Sequence, residues 1–116
     1  MDLGDTIQEC VEDSARWFPG KQQLPFLVLA LAGEVGEVAN VVKKIERGSH
    51  QLDEGLTFDL AMEIVDALTY LSVIMGHPTF SKIDWDEMYR IKRAYNESRF
   101  GPPCEEFSGG IIGNKI

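Results

Sequence analysis

Four carboxylates, set in two otherwise uncharged stretches, carry the chemistry most legible in this chain. Between Gln22 and Val42 the only charged residues are Glu34 and Glu37, and between Leu60 and Gly76 the only ones are Glu63 and Asp66. Each pair is spaced i, i+3, which on a helix sets both side chains on one side, about one turn apart. Glu34 shares its stripe with Leu27, Leu31, Val38 and Val41, and Glu63 lies beside Leu60 and Ala67, so at least one acid of each pair is expected to face neighbouring helices. Desolvating a carboxylate that has no partner costs several kcal/mol. Two pairs facing each other about 5 to 6 Å apart add a repulsion of roughly 3 kcal/mol per pair at an effective dielectric of about 20. Such a group answers by raising some of its pKa values or by taking up a hard divalent cation. Ligation by oxygen alone points to Mg²⁺ or Mn²⁺ rather than zinc. The plainer reading makes the acids solvated positions paired with Lys and Arg of other segments; it is weakened because each pair is the sole charge of its segment.

A second set of residues suits phosphate. Lys92, Asn96 and Arg99 stand at i, i+4 and i+7 and so share a helix face, combining a compact cation, an amide and a guanidinium fork. Basic residues at a helix end also serve its dipole. Lys44, seven residues after Glu37 on the same face, is open to the same two readings. Gly33 and Gly36 flank Glu34 inside a helical stretch, each costing about 1 kcal/mol relative to Ala. Close helix packing explains them, and so does room for a ligand beside the acids. Trp17 either packs in the core or walls a pocket for a base. No protein nucleophile is evident: Ser72 and Cys10 have no His partner in sight, and His50 and His77 read as structural or solvent-facing.

The elements that position these residues read as helices. Residues 2 to 18 repeat apolar groups at helical spacing and stop at Pro19 and Gly20. A long second helix starts near Leu24, with Pro25 in its first turn, Lys43, Lys44 and Arg47 at its negative end and Gly48 just beyond. A polar connection, Ser49 to Gly55, leads to a third helix from Phe58 to Met75, ended by Gly76 and expected to be the most buried. Asp84 with Glu87 three residues later resembles a capping box and opens a fourth helix running to about Arg99. No alternating strand pattern occurs, so the expected fold is all-α, an antiparallel four-helix bundle over residues 1–100 followed by an irregular Gly- and Pro-rich tail over 101–116.

Composition narrows the function. With 116 residues the chain has the size of one domain, and 11 Lys plus Arg against 19 Asp plus Glu leave a formal charge of −8, which disfavours a nucleic-acid polymer as partner. The acidic N-terminus lacks an export signal, so a cytoplasmic location is expected. Cys10 and Cys104, without CxxC spacing, read as free thiols. Neither apolar helix reads as a membrane span, one being short and the other carrying Pro25 and two glutamates. So apolar a third helix is expected to be covered by a second subunit. A di-iron carboxylate bundle would require Glu-x-x-His pairs, whereas Arg47 and Ile74 stand three residues before His50 and His77.

Glu34-Val-Gly-Glu37, then Glu63-Ile-Val-Asp66 after 25 intervening residues, then Lys92-x-x-x-Asn96-x-x-Arg99 resembles the MazG-like branch of the all-α nucleoside triphosphate pyrophosphohydrolases. The resemblance runs from about Trp17 to Gly101. It implies that Glu34, Glu37, Glu63 and Asp66 bind Mg²⁺, one of them also orienting or deprotonating the attacking water, and that Lys92, Asn96 and Arg99 hold the phosphates. It further implies a nucleoside triphosphate substrate cut to monophosphate and pyrophosphate by a homodimer or a dimer of dimers. Gly33 stands where many members carry a further Glu, which leaves the number of metals and the identity of the base open. The rival reading from another class is a non-catalytic helical module that binds a nucleotide or a partner protein.

Overall fold

A computed structural model describes residues 1–48 and 51–101. The irregular tail, the free thiol of Cys104 and the assignment of His50 lie outside the described residues. Among those described the chain is all-helical, with four α-helices, one short 3-10 turn and no strand.

Helix α1 spans Leu3–Trp17, and the Asp2 side chain caps it by accepting a hydrogen bond from the Asp5 N–H at 2.9 Å. Helix α2 spans Leu24–Glu46, with Pro25 in its first turn and Gly48 past its end at φ +79°, a left-handed conformation that glycine adopts without strain. Helix α3 spans Glu54–Met75. It begins four residues before Phe58 because Asp53 accepts from the Leu56 N–H at 2.8 Å, so Glu54 and Gly55 belong to the helix rather than to the connection. After Gly76 comes a 3-10 turn at Pro78–Phe80, in which His77 Nδ1 accepts from the Thr79 N–H at 3.1 Å, so this histidine is structural. Helix α4 spans Trp85–Phe100, capped by Asp84 accepting from the Glu87 N–H at 3.1 Å.

The chain divides into two compact units, Met1–Ser81 and one beginning at Lys82. In the first, α3 is the central element and packs against both α1 and α2. Leu27 meets Val73 around one cavity, Glu34 meets Asp66 around another, and a carboxylate oxygen of Glu37 lies within 4.8 Å of one of Glu63. Position thus rises along α2 as it falls along α3, which makes the two helices antiparallel. The same order holds for α1, where Ile7 and Val11 press on Gly76 while Cys10 lies beside Thr69 and Ser72. Gln22 closes the turn after α1, its side-chain amide donating to the Phe18 carbonyl at 2.8 Å and the Ser14 carbonyl at 3.1 Å.

This unit covers little apolar surface by itself. Leu27 and Val73 are the buried hydrophobic residues, whereas Leu29, Val35, Phe58, Met62, Ile64 and Val65 are exposed. Among the described residues of this unit α3 is therefore not deeply buried as expected: its α1- and α2-facing side is covered, and Ser72 and Val73 are its buried residues. Helix α2, at 23 residues and mean hydropathy 1.5 over its most apolar window, is long and apolar enough by length and composition to cross a membrane. Pro25 sits in its first turn, where a helix tolerates it, so Glu34 and Glu37 are the residues that oppose a span. The second unit contributes α4, whose residues are mostly exposed.

Candidate metal centre and its adjoining cavity

The antiparallel register of α2 and α3 brings the acids together. Glu34 and Glu37 from α2 and Glu63 from α3 each offer a carboxylate oxygen, and these atoms lie within 4.8 Å of one another. Glu34 and Glu63 sit on the half-buried inner stripes of their helices, and Glu37 is exposed. Hidden from solvent, Glu34 Oε2 and Glu63 Oε2 receive no hydrogen bond from a donor among the described residues. Asp66, one turn further along α3, stands outside this triad but close enough for its charge to act on both Glu34 and Glu63.

The electrostatics match the crowding. The close approach of the Glu37 carboxylate at hydrogen-bonding range, followed by desolvation and the charges of Glu37, Glu34 and Asp66, pushes the pKa of Glu63 from 4.5 up to about 7. Glu34 is also raised, first by burial and then by the charges of Glu37 and Asp66. Two inward carboxylate oxygens without donors, plus a third acid within reach, form a set of hard oxygen ligands that fits a divalent cation. Glu34, Glu37 and Glu63 would be the residues to hold such a cation.

Beside the triad lies a cavity of about 320 Å³ between α1 and the α2–α3 pair, walled by Asp13, Trp17 and Phe18 on one side and by Glu34, Asp66 and Tyr70 on the other. Trp17 is 58% exposed, so it does not pack in the core; it forms the cavity rim. Cys10, a free thiol, lines the inner wall, and burial raises its pKa. A Cβ at Gly33 or Gly36 would meet nothing within 4 Å. Close packing within the described chain is therefore not the reason for these glycines, and the space beside Glu34 stands open.

The remaining expected residues are placed as follows. Lys44 is exposed in the last turn of α2. On α4, Lys92 Nζ stands 4.9 Å from the centre of the Tyr95 ring and Arg99 Cζ 5.4 Å from it, with Arg99 also 4.5 Å from the Phe100 ring centre. Lys92 and Arg99 thus share a face through Tyr95, and Asn96, half-buried, lies on the same helix between them. The structure brings three of the four acids into one cluster, and places Lys92, Asn96 and Arg99 in the second unit.

Reading the sequence missed Asp13, Phe18 and Tyr70. Tyr70 follows Asp66 by four residues and Glu63 by seven, so its place on the acid face was available from helical spacing. Asp13 was not, because it comes from another helix. Compared with family models, with curated proteins and with solved structures, the chain matches none of them.

Proposed function

We propose that this chain is a Mg²⁺-dependent nucleoside triphosphate pyrophosphohydrolase of the MazG-like kind, cutting its substrate to monophosphate and pyrophosphate. The observation that carries the reading is the triad of Glu34, Glu37 and Glu63, with two solvent-hidden oxygens lacking donors, at the edge of a cavity of about 320 Å³. Glu34, Glu37 and Glu63 would hold the cation, and Asp66 completes the expected quartet. Bound there, Mg²⁺ or Mn²⁺ supplies charge neutralisation on the phosphate oxygens and a more acidic water. Glu37, the exposed member of the triad, opens to solvent and so is the acid suited to orient an attacking water and accept its proton. Lys92, Asn96 and Arg99 are assigned to phosphate, each carrying a donor that a polyphosphate oxygen accepts. In this reading the four helices form a bundle that pairs through the exposed apolar faces of α2 and α3, as a homodimer or a dimer of dimers.

Release of pyrophosphate from a panel of nucleoside triphosphates, with Mg²⁺ and with a chelator, tests the reading. Turnover is expected only with the metal, and Glu63→Gln or Asp66→Asn is expected to lower kcat/KM by at least about a hundredfold while circular dichroism stays helical. Full activity in both variants removes the metal assignment. No turnover of any nucleotide by the folded protein favours the non-catalytic module.

A further inference from the structure

The cavity beside the acids has a chemical character that the triad does not explain. Its described walls carry the carboxylates of Asp13, Glu34 and Asp66 and no lysine or arginine. Away from a cation held at the triad, a polyphosphate in such a space meets uncompensated repulsion. The part of a ligand that fits is uncharged, flat and rich in hydrogen-bond donors. The flat surfaces are present: Trp17 and Phe18, adjacent in sequence and 58% and 51% exposed, stand on one side, and Tyr70 on the other. Large aromatic rings left this open at a cavity mouth are stacking surfaces for a nucleobase.

Asp13 is the reader on that rim. Arg16 donates to Asp13 Oδ1 at 2.6 Å and also lies 5.6 Å from the centre of the Trp17 ring, so one guanidinium holds both the carboxylate and the indole. Held in this way, and three-quarters shielded with a side-chain exposure of 25%, the Asp13 carboxylate can only accept hydrogen bonds. Guanine offers it two adjacent donors, and cytosine and adenine offer an exocyclic amine. Uracil and thymine present one N–H between two carbonyl oxygens, which a carboxylate repels.

Resting on the hydrolase reading above, we propose that this cavity is a nucleobase subsite in which Asp13 selects nucleotides whose base carries an exocyclic amine. The test compares kcat/KM for two matched pairs, CTP with UTP and GTP with ITP, each differing in an amino group. About a tenfold preference for the aminated member of each pair is expected, the usual size of one hydrogen bond to a charged acceptor. Asp13→Asn, whose amide both donates and accepts, is expected to bring both ratios to within about twofold. Ratios near one in the wild-type protein, or ratios that survive the substitution in a helical variant, overturn the proposal and leave the hydrolase reading standing. Failure to turn over any of the four overturns the proposal, and the hydrolase reading falls with it only if ATP and the deoxynucleoside triphosphates are not cut either. Should the variant not fold, inhibition of the wild-type enzyme decides instead: cytidine is expected to compete at about tenfold lower concentration than uridine, and equal inhibition by the two overturns the proposal.

Discussion

At the scale of residues, Glu63 is where the fold holds a carboxylate at a cost in stability. Its pKa is 4.5 in an unfolded chain and about 7 in the fold, so between these values the native state binds more protons. Stability contributed by this group is therefore complete below pH 4.5 and declines as the pH rises to about 7, above which the penalty of a charged Glu63 is fully present. In a chelating buffer the melting temperature is expected to fall across that window, and Glu63→Gln is expected to flatten the fall. Mg²⁺ should reverse it, raising the melting temperature more at pH 8 than at pH 5, because a metal binds carboxylates only after their protons leave. A wild-type profile as flat as that of the variant would show that the acids do not crowd. Much of this site was readable beforehand. Glu34 and Glu63 stood out as isolated charges on apolar stripes, and the spacing of each pair is fixed by the helix. What spacing on one helix cannot reveal is register between helices: that Glu37 rather than Asp66 completes the triad follows from how α2 slides along α3.

At the scale of elements, the helices were legible because their signals are local. Apolar period, Pro25 at one end and Gly48 at the other all lie within one turn of what they mark. The Asp53 cap escaped notice because it sits in a polar stretch where no apolar period announces a helix, and α3 therefore starts earlier than the pattern suggested. Glycine separates the packed element from the open one. At Gly76 an added Cβ would collide with the Val11 and Ile7 methyl groups, which α1 presses onto the end of α3, whereas at Gly33 it would meet nothing within 4 Å. Gly76→Ala is expected to destabilise by about 1–3 kcal/mol through overpacking. Gly33→Ala is expected to stabilise by up to about 1 kcal/mol through helix propensity. Denaturant melts of the two variants decide the point. Loss of stability in Gly33→Ala would mean that another surface fills the open space beside Glu34.

At the scale of the whole molecule the question is what covers the apolar faces. A lone chain would leave Leu29 73% exposed, Phe58 65% and Met62 54%, on the two helices that also supply the acid triad. Apolar patches of this kind on a soluble surface mark association. Net charge does not prevent it, since −8 is spread over a chain whose α2 and α3 carry few charges between their ends. A second copy is the economical occupant, because a two-fold axis sets like apolar faces together while the acids stay on the inner seam of each hairpin. Sedimentation equilibrium is expected to report a dimer or tetramer, and Leu29→Glu or Met62→Glu to shift it to smaller species, each placing a charge in the contact. The inward face is untouched by either change, so the binding of Mg²⁺ to the acid cluster should survive better than the assembly does. If the wild-type chain sediments as a monomer at high concentration, the faces belong to some other apolar surface. The length and hydropathy of α2 then make partition into lipid vesicles the next measurement, with Glu34 and Glu37, kept against Glu63, setting the cost of entry.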